Sequence, residues 1–148
     1  MGLLTTLQGD RIYLDTNVWI YAVESYPTFI TELTALLHSI DQGYQVAITS
    51  ELSLAEVLVK PLREQNQARQ EAYKRAVVNR KNVFVVPVLR ELLIDAAQVR
   101  ADTGLKLPDA IHVATAVRSQ CTTFLTNDER LKNLGSLNVV LLSEAISP

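Results

Sequence analysis

Four carboxylates sit in short motifs spread along the 148 residues. They are Asp15 in Leu14-Asp15-Thr16-Asn17, Glu56 in Ser53-Leu54-Ala55-Glu56, Asp109 in Leu107-Pro108-Asp109-Ala110, and Asp128 in Thr126-Asn127-Asp128. Carboxylates are hard oxygen donors, suited to Mg2+ or Mn2+ rather than to soft-ligand metals. The other donors agree: Cys121 is the only cysteine, and His38 and His112 are the only histidines, which is a poor set for zinc. Four carboxylates brought together would repel one another and raise each other's pKa values. A bound divalent cation removes that difficulty, so the chemistry to expect is that of a metal ion held by oxygen.

Such a set works only if the fold gathers it. Five short apolar runs read as strands: Arg11 to Asp15, Val46 to Thr49, Val83 to Val86, Thr123 to Thr126 and Val139 to Leu142. They are β-branched and nearly continuous, as expected of strands covered on both faces. Helical periodicity fills the intervals. Thr28 to Ile40 carries a stripe of Phe29, Leu33, Leu36, Leu37 and Ile40, ending near Gly43. Glu51 to Leu62 and Gln65 to Val78 read as two helices, with Pro61 marking the break between them. Leu89 to Ala101 has a stripe of Leu89, Leu92, Leu93, Ala96, Ala97 and Arg100 and is closed by Gly104. A last helix starts at Pro108, where a missing N–H costs nothing, and runs to about Ser119. Alternating strands and helices predict a mainly parallel α/β sheet with helices on both faces.

In that architecture ligands bind beyond the carboxyl ends of the strands. Asp15 ends the first strand and Asp128 follows the fourth by two residues, while Glu56 and Asp109 lie in the first turns of helices. All four can therefore converge at one sheet edge. Each also has a plain structural reading. Ser53 to Glu56 and Thr126 to Glu129 are capping-box patterns, Asp15 can cap the helix after it, and Asp109 can complement a helix dipole. The functional case lies in the set.

The net charge of −2 gives no sign of a nucleic-acid partner, but the charge is segregated. Between Lys60 and Lys81 seven basic residues face two acidic ones, a local net of +5. A hydrophobic share of 48% and a charged share of 20% fit an ordinary globular domain, and the absence of repeats or linkers predicts one domain over 1–148. No apolar run reaches the roughly 18 residues of a membrane span. The first ten residues lack a secretory pattern. The single cysteine suits a reducing, cytoplasmic setting.

The segments Ile12-Tyr13-Leu14-Asp15-Thr16-Asn17, Ser53-Leu54-Ala55-Glu56-Val57, Leu107-Pro108-Asp109-Ala110-Ile111 and Leu125-Thr126-Asn127-Asp128 resemble, in order and spacing, the four signature segments of PIN domains. The likeness covers nearly the whole chain and is greatest to the small VapC-type toxin ribonucleases of toxin–antitoxin pairs. It implies a PIN-like three-layer α/β/α sandwich with about five strands. It also implies a Mg2+- or Mn2+-dependent endoribonuclease acting on RNA, a small antitoxin partner that covers the acidic pocket, and a homodimer.

Carried onto this chain, the resemblance makes Asp15, Glu56, Asp109 and Asp128 the acidic quartet, with Asn17 and Thr126 as polar supports. Asp15, Asp109 and Asp128 are the expected direct ligands, and Glu56 is expected to act through water. Arg69, Lys74 and Arg75 from the basic segment are candidates for the RNA backbone. Trp19, Tyr21, Tyr26 and Phe29 are divided between core and a groove for the partner. His112 stands where the family usually has an apolar or small residue; one turn along from Asp109 it could lie beside the pocket, and a packing role is expected for it.

Two other classes are weighed against this reading. A haloacid-dehalogenase-like phosphatase also has an Asp after its first strand, but needs a second Asp two residues on, where this chain has Asn17. A catalytically idle PIN domain that only binds a partner would be separated by metal titration followed by an RNA cleavage assay.

Overall fold

The computed structural model describes residues 2–132, 134–135 and 137–146. A short helix α1 (Leu3–Thr6) precedes strand β1 (Arg11–Leu14), which leads into α2 (Thr16–Val23) and α3 (Ile30–Asp41). Strand β2 (Val46–Ser50) is followed by α4 (Glu51–Arg63) and α5 (Gln67–Ala76), then by β3 (Val83–Val86). Helices α6 (Arg90–Thr103) and α7 (Leu107–Arg118) precede β4 (Thr123–Thr126). A 3-10 turn (Glu129–Leu131), β5 (Asn138–Leu141) and α8 (Leu142–Ala145) complete the order.

The five strands form one sheet in the order β3-β2-β1-β4-β5, and every neighbouring pair is parallel. The predicted three-layer α/β/α arrangement with five strands is what the chain adopts. Side chains alternate across the sheet, so each strand feeds two cores. Ile12, Leu14, Ala47, Val83, Val85 and Leu125 pack with Leu33, Leu36 and Ile40 of α3, Trp19 of α2, Val57 of α4 and Tyr73 of α5. On the opposite face Tyr13, Ile48 and Phe124 meet Val113 and Ala116 of α7. Leu92 and Ala96 of α6 then pack on Ala110 and Ala114 of α7. The apolar continuity of β1, β2 and β4 thus follows from burial on both sides, whereas β3, at the sheet edge, leaves Phe84 half exposed and departs from that expectation.

Three expectations are corrected. Pro61 does not break the basic segment but lies inside the last turn of α4. The chain reverses at Gln65, in the left-handed region at φ 56°, and α5 begins at the Asn66 cap, whose side chain accepts from the Arg69 N–H. The stripe read on α6 is only half right. Leu92 and Ala96 are buried, but Leu89 and Leu93 are exposed, because the face of the helix against α7 is narrow and lined by alanines. The Ser53 capping box is absent, since Ser50 caps α4 by accepting from the Leu52 N–H. Ser53 instead lies buried one turn in, 2.9 Å from Thr49 Oγ1. Gly104 closes α6 at φ 77°, as its sequence position predicts.

Candidate functional site

The chain leaves β1 toward β2 on one side, whereas β4 and β5 lie on the other. The crevice at the carboxyl ends of β1 and β4 is therefore the topological switch point where ligands bind in open α/β sheets. Leu14 and Leu125 are register partners, so Asp15 and Thr126, one residue on, emerge side by side.

Asp15 is 6% exposed, and its ordinary structural role is real: it caps α2, with Oδ1 accepting from the Thr16 N–H at 2.9 Å. Its Oδ2 accepts from Thr126 Oγ1 at 2.6 Å. The same hydroxyl oxygen accepts from the Asp128 N–H at 3.1 Å. Thr126 thus bridges Asp15 and the backbone of Asp128. Asn17 acts differently from the expected carboxylate contact: its Oδ1 accepts from the Asn127 N–H at 3.2 Å, pinning the loop that carries Asp128.

Asp128 caps the 3-10 turn, with Oδ1 accepting from the Arg130 N–H at 3.0 Å. The Arg130 guanidinium then folds back onto both Asp128 oxygens and lies 3.4 Å from Asp109 Oδ2. Hydrogen bonding from Arg130 holds the Asp128 carboxyl below the usual carboxylate range. Asp109, in the first turn of α7, is pushed the other way. Burial raises its pKa first, then the charges of Asp128 and Asp15, against the pull of Arg130. Three aspartates therefore stand within electrostatic reach of one another.

Glu56, on α4, accepts from Thr16 Oγ1 at 2.6 Å and lies 2.7 Å from His112 Nε2, both on Oε1. Burial would raise its pKa, but the hydrogen bonds from His112 and Thr16 pull it below its ordinary value. His112 is 1% exposed, with Nε2 3.8 Å from Asp15 Oδ1. Burial opposes its charged form, yet the bond to Glu56 and the charges of Asp15, Glu56 and Asp109 raise its pKa. The histidine is buried as a packing residue would be, but its polar atoms belong to the site.

The quartet is held in two halves. His112 and Thr16 draw in Glu56 and border Asp15, while Arg130 spans Asp128 and Asp109. Among the described residues no three carboxylate, imidazole or thiolate groups enclose an ion as they stand. The donor chemistry nonetheless fits a hard divalent cation. The available carboxylate groups are oxygen donors, and burial together with the neighbouring charges of Asp128 and Asp15 disfavours the ionised form of Asp109, which a cation would favour.

Thr16, Tyr13 and Arg130 border these carboxylates without having been singled out from the sequence, and His112, weighed there as a packing residue, hydrogen-bonds Glu56. Thr16 stands inside the first motif and Arg130 two residues beyond the last, so proximity to the motifs was an available signal for both.

The other candidate positions are more scattered. On α5, Arg69 is paired to Glu24 at 2.9 Å and Lys74 to Glu71 at 3.3 Å, while Arg75 is exposed. Of the aromatic group, Trp19 and Phe29 are core, whereas Tyr26 is exposed and meets Tyr21 at 4.7 Å with the rings tilted by 46°. No helix among the described residues is long and apolar enough to cross a membrane.

No curated protein matches the chain by sequence. Solved structures do match its fold. VapBC2 from Rickettsia felis, bound to a promoter DNA fragment, superposes with a TM-score of 0.71 at 14% identity, covering 88% of this chain and 98% of that one. FitAcB from Neisseria gonorrhoeae gives 0.64 at 19% identity, covering 88% and 97%. The sarcin-ricin-loop-cleaving toxin VapC20 from Mycobacterium tuberculosis gives 0.62 at 18% identity, covering 76% and 86%. Residues 12–137 match the PIN domain model, and the chain belongs to the PIN domain family.

Proposed function

We propose that this protein is a metal-dependent endoribonuclease and the toxin of a VapBC-type toxin–antitoxin pair. The observation that supports the reading is that Thr126 links Asp15 to the Asp128 backbone while Arg130 spans Asp128 and Asp109, beside the switch point between β1 and β4. Asp15 and Asp109 would hold Mg2+ or Mn2+, joined by Asp128 once Arg130 releases it, with Glu56 acting through water. A bound ion would supply Lewis-acid stabilisation of the phosphate and favour ionisation of the attacking water.

The chain's own residues do the rest. Thr126 bonds Asp15 and Asn17 anchors the Asp128 loop, while Glu56 would orient or deprotonate a water. The exposed Lys74 and Arg75 of α5 offer positive charge to an RNA backbone. The fold is shared with proteins described as toxin–antitoxin complexes, including one from Klebsiella pneumoniae at 18% identity, which supports a small antitoxin as partner. Exposed Leu89, at the cap of α6, and Leu93 and Ile94 on the helix would supply apolar surface for a homodimer. The single buried cysteine suits a cytoplasmic setting.

The test is a titration with Mn2+ followed by sequencing of cleavage products from whole-cell RNA, with Asp15→Asn and Asp109→Asn as controls. The reading expects both variants to fold and to lose cleavage and ion binding. Full activity in both would remove the metal centre, and an inactive wild type that still binds an antitoxin would make the domain a binding module.

A further inference from the structure

His112 is a buried polar side chain that the metal chemistry leaves without a task. It lies on α7 one turn beyond Asp109. Its Nδ1 is 2.6 Å from Tyr13 Oη, on the central strand, and its Nε2 is 2.7 Å from Glu56 Oε1, on α4. Tyr13 is itself immobilised, fully buried and stacked on Phe124 at 4.9 Å with an interplanar angle of 13°. The bonds thus run from the rigid middle of the sheet, through one imidazole, to the carboxylate with the longest side chain of the quartet.

A packing residue would need only volume, and a leucine would supply it. Here both ring nitrogens are engaged, and no buried side-chain polar atom among the described residues lacks a partner. We propose that His112, held by Tyr13, is a positioning residue for Glu56. Its Nε2–H and the Thr16 hydroxyl both bond Oε1. That fixes the carboxylate and leaves Oε2 to address a water in the pocket. The inference rests on reading this pocket as the nuclease centre.

The arrangement holds whichever way the ring is protonated. Burial, and then the Asp15 charge, keep the Tyr13 hydroxyl protonated. In the neutral ring Tyr13 donates to Nδ1, so the ring proton sits on Nε2. In the charged ring both nitrogens carry protons, and Nε2 still donates to Glu56.

The experiment compares wild type with Tyr13→Phe, His112→Gln and His112→Leu. The readouts are RNA cleavage with Mn2+ and the imidazole 15N shifts of the metal-free protein. His112→Leu is expected to lower kcat about 10–100-fold with little change in KM, as loss of a supporting hydrogen-bond partner does. His112→Gln, which keeps an N–H for Glu56, should recover part of that loss. Tyr13→Phe, the mildest change, should lower kcat less and shift the imidazole signals away from the Nε2–H form.

A folded His112→Leu with undiminished kcat would overturn the positioning role while leaving the nuclease reading intact. So would a Tyr13→Phe protein with unaltered imidazole signals and kcat, which covers the case in which His112→Leu does not fold. A wild type that cleaves no RNA with Mn2+ would bring down the nuclease reading and this role with it.

Discussion

Thr126 ties the first carboxylate of the site to the last: its hydroxyl donates to Asp15 Oδ2 at 2.6 Å and accepts from the Asp128 N–H at 3.1 Å. Thr126→Val keeps the shape and removes the hydroxyl. It should cost about 1–3 kcal/mol of stability, the usual loss when a buried group is left without its partner. Cleavage should fall about 10–100-fold, while Thr126→Ser should stay near wild type. Thermal melts and single-turnover rates check both, and an equal loss in the serine variant would point to methyl packing instead.

Arg130 covers both oxygens of Asp128, so it competes with any ion that uses that carboxylate. In Arg130→Ala the repulsion between Asp109 and Asp128 is unscreened, and Mn2+ binding should tighten about two- to fivefold, the modest scale of a solvent-exposed pair. Calorimetric titration with Mn2+ measures this. Weaker binding would mean that the guanidinium and the ion share the pocket.

The basic residues of α5 should separate by role. Arg69 is tied to Glu24, which also accepts from Tyr73, so Arg69→Ala should lower Tm by a few °C, roughly what losing a partly buried pair between α2 and α5 costs. Lys74→Ala with Arg75→Ala should leave Tm unchanged and weaken RNA binding. Its salt dependence should flatten by about 0.7 in log–log slope for each phosphate that is no longer neutralised. Filter binding across a salt series reads that slope.

Cys121 is buried, and burial pushes its thiol up to about 12. At pH 8 only about one molecule in ten thousand carries the reactive thiolate. Labelling by a disulfide reagent should therefore be slow in the folded protein and should rise as denaturant exposes the chain. Fast labelling of the folded protein at pH 8 would contradict the burial.

The fold was readable because the strands are apolar runs: Thr123 to Thr126, buried throughout, and Val83 to Val86, an edge strand with Phe84 half exposed, both appear at their expected bounds. α6 was readable in position but not in orientation. Its stripe held more apolar residues than α7 covers, and periodicity does not say which of Leu89, Leu92 and Leu93 meets a partner. Pro61 misled because α4 continues through it despite the missing N–H, with the Pro61 carbonyl accepting from the Asn66 N–H and Gln70 Nε2, whereas Gln65 and Asn66 reverse and restart the chain.

Four carboxylates that residue type and strand-end or helix-start position bring toward one sheet edge were legible in the sequence alone. Their counter-charges were not. His112 meets Glu56 across 56 positions, and Tyr13 meets His112 across 99. Such pairs depend on strand order and helix rotation, which local pattern does not encode. The sequence therefore marked out an acidic pocket. Only the tertiary structure decided that one half is held by a buried imidazole and the other by an exposed guanidinium. Burial makes the first a fixed positioning contact, whereas exposure leaves the second free to give way to an ion.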